Sequence, residues 1–430
     1  MKKTIVSLTL GVAALCAGAH TWSLDSCINY ALDHNLQVRR QAIELQSGQL
    51  SVTEAYDRFL PQLSAGASQS WSFGRGLTSE NTYANRNTSM TGFNANLSLP
   101  LFQGLSAIRQ VDYARTRMLQ IVEQTEAMKD DITLNIIAQY LQVLYAGELV
   151  DVAREQAALS AAMLRRQEDL LEAGKVPEAD VLQARSQAAS DELTVVTTTN
   201  DHRLALIDLA RLLELDEVDG FDIAPLEGDA HPLIINADEV YNHALQSNHA
   251  ILAARRGIDV AQKSISVAKT GYIPRLSFTA GLGSNYYSMS GARSASFGSQ
   301  MRDNFSKSLG FSLSVPIFDA FSTRNQVRRA RVDVLSASIA LEEQESQLFK
   351  NIRQAYYQAL SAAKKMEASA TATEAAKAAL DAITYKYEYG KANATEYEQA
   401  KTTYIKSQSE TVQARYELLL RNRILLFYNK

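Results

Sequence analysis

The sequence predicts a mainly α-helical chain with a small β part, in which long helical hairpins run continuously into the strands of a transmembrane β-barrel. Three observations predict it. Two stretches keep a helical period over about 66 residues. Four short stretches alternate apolar with polar residues. The whole order then occurs twice, giving two structural repeats.

The chain opens with Lys2 and Lys3, an apolar run from Ile5 to Ala17, and the small-x-small triplet Ala17-Gly18-Ala19. That is the pattern of a secretory signal peptide, expected over residues 1–19. The apolar run falls short of the ~20 residues that span a bilayer. Leu15 stands where lipid attachment at Cys16 calls for a small residue, so no lipid anchor is expected. Cleavage leaves Cys27 alone, with no partner for an intrachain disulfide. An exported chain without a long apolar helix is periplasmic, secreted, or inserted as a β-barrel.

The first repeat is expected over residues 20–217. Leu24 to Phe59 is helical in pattern, and strands follow at about 62–73 and 91–101. The second strand is the clearer, with Phe93, Ala95, Leu97 and Leu99 alternating with Asn94, Asn96 and Ser98. A helix then runs from Ser106 to Leu171, about 100 Å at 1.5 Å per residue. It carries two apolar stripes, Ile132, Ile136, Val143, Val150 and Leu134, Ile137, Leu141, Leu144, so neighbours are expected on two sides. A linker holding Pro225 and Pro232 covers residues 218–236.

The second repeat is expected over residues 237–430, with strands at about 275–287 and 307–317. Its helices cover Ser322 to Tyr389 and Thr395 to Tyr428. Ala31-Leu32-Asp33-His34-Asn35 recurs as Ala244-Leu245-Gln246-Ser247-Asn248, and Leu99-Pro100-Leu101-Phe102 recurs as Val315-Pro316-Ile317-Phe318. Gly174-Lys175 recurs as Gly390-Lys391. The Ser/Asn/Gly-rich stretches Gly74 to Ser89 and Ser288 to Phe305 read as solvated loops between paired strands. Cys27 aligns with Val240 and reads as a small buried apolar residue.

Four strands cannot close a membrane barrel, and open strand edges cannot face lipid. The chain is therefore expected to oligomerise, and two, three or four copies would each give a plausible strand count. Acidic residues slightly outnumber basic ones, 47 to 43, which excludes the basic face that nucleic-acid binding needs. No phosphate-binding glycine loop, H-E-x-x-H or C-x-x-C occurs, so no catalytic residue, metal ligand or cofactor is expected. Arg109, Arg115 and Arg117 crowd one helix start just beyond the strands. Arg324, Arg328, Arg329 and Arg331 crowd the other. They read as a solvated face, a headgroup contact or a basic lumen girdle.

The duplicated order resembles the TolC-like outer-membrane efflux proteins. The residues that carry the resemblance are Trp22-Ser23-Leu24 with Cys27 and Ala31-Leu32, the two Pro-containing strand ends, and the two Gly-Lys segments. It covers essentially the whole mature chain. It implies a homotrimer with a twelve-stranded barrel in the outer membrane, four strands per chain, and a helical tunnel through the periplasm. It also implies work with a periplasmic adaptor and an inner-membrane pump or exporter. Gly174, Lys175, Gly390 and Lys391 would then form the periplasmic tip and face the adaptor. Glu396 and Gln399, with Asp180 at the equivalent place in the first repeat, would line the pore constriction. Only Glu396 of the second-repeat pair is acidic, which departs from the family's double-acid pattern. The tips also differ in Pro177 and Asp180 against Ala394 and Glu396. The function expected is a passive exit duct; the alternative is a periplasmic or surface coiled-coil scaffold or adhesin without a pore.

Overall fold

The computed structural model describes residues 21–77, 81–226 and 236–429. The expected signal peptide and residues 227–235 of the linker, with Pro232, lie outside the described residues. Elements run α1 (Leu24–His34), α2 (Leu36–Asp57), β1 (Gln62–Ser72), β2 (Arg75–Leu77), β3 (Tyr83–Asn85), β4 (Thr88–Phe102), α3 (Ser106–Glu172) and α4 (Glu178–Leu212). Then come α5 (Ala237–Ser247), α6 (His249–Lys269), β5 (Arg275–Met289), α7 (Phe297–Asp303), β6 (Ser306–Ser314), α8 (Ser322–Glu388) and α9 (Ala394–Tyr428). The two long helices are each 67 residues and the two that follow them each 35. No helix among the described residues is long and apolar enough to cross a membrane.

Two compact units form, each drawn from both halves of the sequence. One comprises residues 1–42, 125–249 and 345–430, and the elements described in it are helices. Its largest core gathers Cys27, Ala31, Ile132, Ile136, Tyr140, Val143 and Leu209. Cys27 and Val240 are both fully buried, as their alignment predicts. Of the two stripes on α3, Ile132, Ile136, Ile137, Leu141, Val143 and Val150 are buried, while Leu134 and Leu144 are half-buried. The segment leading into α1 is tied down by backbone. Trp22 donates its N–H to Asp222 O at 2.9 Å and accepts from Ala224 N at 2.9 Å. The Tyr140 hydroxyl donates to Trp22 O at 3.1 Å and Ala224 O at 2.5 Å.

The expected single helix from Leu24 to Phe59 is broken. Asn35 ends α1 in an extended conformation, and its Oδ1 then accepts the N–H of Gln37 at 2.8 Å, capping α2. Its Nδ2 donates to Leu212 O at 3.0 Å, so the break is a packed joint. Asn248 breaks the second half at the aligned position.

The other unit, residues 43–124 and 250–344, holds an antiparallel sheet in the order β1-β4-β5-β6. Among the described residues β1 and β6 have no partner on their outer sides. The register sorts side chains onto two faces. Leu63, Ala65 and Ala67 lie opposite Leu97, Ala95 and Phe93. These continue into Ala280, Leu282 and Ser284 on β5. Leu309, Phe311 and Leu313 complete this apolar face on β6. The other face carries Ser64, Gly66, Ser68, Asn94, Asn96, Thr279, Gly281, Ser308 and Ser312. The apolar side chains are bare: Leu309 is 78% exposed and Phe311 73%. Such a face has no place in a water-facing monomer.

The strand bounds differ from expectation where partners run out. The last strand was expected to reach residue 317 but stops at Ser314, because its only partner, β5, begins opposite it at Arg275. Ile317 is then 94% exposed. In β4 the aligned Pro100 stays inside the strand, and the register slips between Pro100 and Phe102 to absorb the missing N–H. Two stretches expected as loops carry structure. Residues 75–77 and 83–85 pair as β2 and β3. Within 288–305, α7 forms behind an N-cap in which Ser296 Oγ accepts the Ser299 N–H at 3.3 Å.

Candidate functional site

The ends of the long helices are built from two glycine turns. Gly174 has φ +68° and Gly390 φ +67°, the left-handed region that costs other residues. Gly174 donates to Leu171 O at 2.9 Å and Lys175 to Leu170 O at 2.9 Å. Gly390 donates to Tyr387 O at 3.1 Å and Lys391 to Lys386 O at 2.8 Å. Both are Schellman ends, which satisfy the last carbonyls of α3 and α8. All four Gly and Lys residues are exposed.

The helices that leave these turns start differently. Pro177 precedes α4 and supplies no side-chain cap; Asp180 sits half-buried in the first turn. The residue in the equivalent place before α9 is Asn393, correcting the expected match of Pro177 with Ala394. Asn393 Oδ1 accepts the Glu396 N–H at 2.8 Å, and Glu396 Oε2 accepts the Asn393 N–H at 3.1 Å. This capping box fixes the start of α9. Glu396 therefore holds a helix start, and it and Gln399 remain exposed. Among the described residues no hydrogen bond or ion pair joins Asp180 to Glu396 or Gln399.

Beside the turns, α3 clasps the end of α8. Arg166 Nη2 donates to Glu388 O at 2.8 Å and to Tyr387 O at 3.5 Å, and its guanidinium lies 5.3 Å from the Tyr387 ring centroid. A cation on the last carbonyls of a helix is favoured by their partial negative charge. Gln167 Nε2 donates to the Tyr387 hydroxyl, and the Tyr387 and Tyr397 rings stand 5.6 Å apart. Burial pushes the Tyr387 hydroxyl above its ordinary pKa; Arg166 opposes this, and the nearby Asp180 and Glu398 add to it. Tyr385 and Tyr389 pair with each other and stay exposed.

A deeper network joins α3, α4 and α9. Lys401 and Asp191, 1% and 3% exposed at the side chain, lie 3.2 Å apart. Lys401 Nζ also donates to Ser160 Oγ at 2.6 Å and reaches Glu398 Oε2 at 2.7 Å. Ser160 donates to Asp191 Oδ2, while Gln156 and Gln187 donate to Oδ1 at 2.7 and 3.0 Å. A buried charge is tolerable only when paired and hydrogen-bonded, and this one is both. Sequence reasoning missed it. The available signal was that Lys401 interrupts the stripe Tyr397, Tyr404, Ile405, Val412 on α9, all four of which are buried. Further along, Glu155 accepts from the Tyr404 hydroxyl at 3.1 Å, and Glu148 from the Tyr416 hydroxyl at 2.8 Å.

The basic residues at the helix starts lie partly on aromatic rings. Arg115 donates to the Tyr56 hydroxyl with its guanidinium 5.4 Å from that ring, and Arg324 lies 5.4 Å from the Phe321 ring.

The outer membrane efflux protein profile matches residues 27–214 and again 240–426. Outer membrane protein TolC of Escherichia coli K12 is 24% identical over 434 residues, covering 98% of this chain and 85% of that protein. Crystal structures of CusC superpose with a TM-score of 0.78 at 18% identity, over 94% of this chain and 91% of that one. The Campylobacter jejuni CmeC outer membrane channel superposes at 0.78 with 16% identity, over 94% and 85%.

Proposed function

Because the chain belongs to the outer membrane efflux protein family, we propose that it is one subunit of a trimeric, passive exit duct for a tripartite efflux or secretion system. The observation that carries this reading is the four-stranded sheet. One face is apolar and bare, the other is lined by Ser, Asn, Thr and Gly, and both edges are open. Lipid takes the apolar face and water the polar one. The edges demand pairing, since an unpaired backbone polar group in hydrocarbon costs several kcal/mol. Three copies supply twelve strands around a polar lumen. Exposed Tyr272, Phe318 and Phe321 near the helix-side ends of the strands, and Trp71 and Phe73 at the loop-side end, would form the two aromatic belts.

The long helices continue the conduit on the periplasmic side. Gly174, Lys175, Gly390 and Lys391 form its tip and meet a periplasmic adaptor, and an inner-membrane pump or exporter supplies the energy. Glu396, Gln399 and Asp180 line the constriction, one of each per subunit. A ring of carboxylates there draws cations toward the pore. The chain itself performs no chemical step.

The test is conductance across planar bilayers. The full-length protein, purified in detergent, inserts as a trimer and gives long-lived single-channel steps. Glu396→Gln keeps the capping box, since Gln also serves at that position, and lowers cation selectivity and block by multivalent cations. A protein soluble without detergent, or one giving no conductance, overturns the duct. Unchanged selectivity in Glu396→Gln removes that residue from the constriction.

A further inference from the structure

The segment between β5 and β6 folds back over the sheet. Past Gly283, β6 no longer covers β5, and side chains of α7 take its place. Gln300 accepts the Tyr287 N–H at 2.9 Å and donates to Tyr287 O at 3.0 Å. Asn304 Nδ2 donates to Asn285 O at 2.7 Å. Phe297 packs 6.4 Å from the Phe93 ring and 5.4 Å from the Tyr286 ring. By register both belong to the apolar face. Between α7 and that face lies a groove of about 590 Å³, lined by Ala65, Ala67, Ala95, Leu282, Met301 and Phe305 among others. Small alanine side chains on the strands face the larger Met301 and Phe305 across it.

The groove sits at the rim of the apolar band. Toward the loop side the same face turns polar: Gln69, Ser89 and Thr91 hydrogen-bond with one another. A cation stands at this rim. Lys307 lies opposite Leu282, on the apolar face. Its Nζ is 5.6 Å from the Phe305 ring centroid, and no carboxylate lies within ion-pair distance of it among the described residues. The only acid between Ser288 and Lys307 is Asp303, 3.5 Å from Arg302. A lysine on a lipid-facing surface must find an anion or reach the headgroups.

We propose that this groove binds one phosphorylated lipid of the outer leaflet, an acyl chain lying between α7 and the sheet and a phosphate resting on Lys307. The proposal rests on the barrel reading, which puts the apolar face in lipid. Aliphatic burial supplies affinity, and the Lys307 ammonium selects the phosphorylated headgroup.

The test counts lipid retained by the full-length protein. The protein is inserted into phosphatidylcholine vesicles, floated on a density gradient and extracted. It is then incubated with a bis-phosphorylated glucosamine lipid or its dephosphorylated form, and bound lipid is counted by mass spectrometry. Wild type retains the phosphorylated form about fivefold or more over the other. Lys307→Gln removes about fivefold and Lys307→Arg restores it. Ala67→Leu with Ala95→Leu fills the groove without losing apolar surface and also lowers retention. Equal retention of the two lipids, indifference to both sets of variants, or full displacement by inorganic phosphate overturns the site alone. A wild-type protein that does not float with vesicles overturns the barrel reading and the site with it.

Discussion

Lys401 shows what a single side chain contributes here. Its ammonium is held by Asp191, Ser160 and Glu398 where three helices meet. Such a pair adds little net stability over an apolar pair of the same volume, but losing one partner strands the other charge. Lys401→Met is therefore expected to cost about 3–5 kcal/mol in denaturant melts of the detergent-solubilised protein. Adding Asp191→Leu should return most of that loss, and a double variant no better than the single would refute the pairing. Cys27 and Tyr140, in the core that packs against Trp22, act through pH. Burial pushes each up to about 12. Both are neutral when folded, so the unfolded chain ionises first as pH rises, from about 9 for the thiol and 10 for the phenol. The contribution of these two groups to stability is whole below pH 9 and is lost between 9 and 12. Cys27→Val, which copies Val240 of the other half, should cost no more than about 1.5 kcal/mol at neutral pH and delay the onset of alkaline unfolding measured by circular dichroism.

At the scale of elements, the two tip turns share a backbone and differ in their caps. Both glycines have open space where a Cβ would sit, so a substitution there meets only the left-handed backbone. Gly390→Ala should cost about 1–2 kcal/mol with no steric penalty, and Asn393→Ala about 1 kcal/mol. Hydrogen exchange of the first turn of α9 checks the second: faster exchange confined to that turn is the expected result, and unchanged exchange refutes the cap. These turns were legible in the sequence because glycine takes the left-handed conformation of a helix end at the least cost. The long helices were legible because a 3.6-residue period over some 66 positions has no competing explanation. Asn35 was not, since an asparagine within a periodic stretch reads as an ordinary polar residue until Leu212 O and Gln37 N are seen around its side chain. The helix α7 escaped for a similar reason. Seven residues are too few for a period, and its support comes from β5 backbone far from it in sequence. The network around Lys401 needs three helices brought together, and no spacing within one of them announces it.

For the whole molecule the decisive feature is what the chain leaves undone. The family profile matches twice, and still the sheet has, among the described residues, four strands with two open edges. An edge strand is a template for another chain, and soluble proteins shorten or charge such edges. Here β1 carries no charged residue from Gln62 to Ser72, and β6 carries only Lys307 near its end. The strands alternate in direction across the sheet, so β6 of one copy meets β1 of the next antiparallel and the same contact can repeat until it closes. The proposed trimer is testable by disulfide trapping, because of the two cysteines Cys27 is buried and absent from the sheet, and Cys16 falls in the expected signal peptide. Ser308→Cys on β6 is combined in turn with cysteine at Ser64, Gly66, Ser68 and Ser70 on β1. Oxidation of detergent-purified protein should cross-link copies in one register only, since a disulfide needs Cα atoms within about 7 Å. The ladder on denaturing gels should end at three chains. A ladder ending at two or four chains replaces the trimer with another closure, and no intermolecular cross-link at any position removes the edge-to-edge contact.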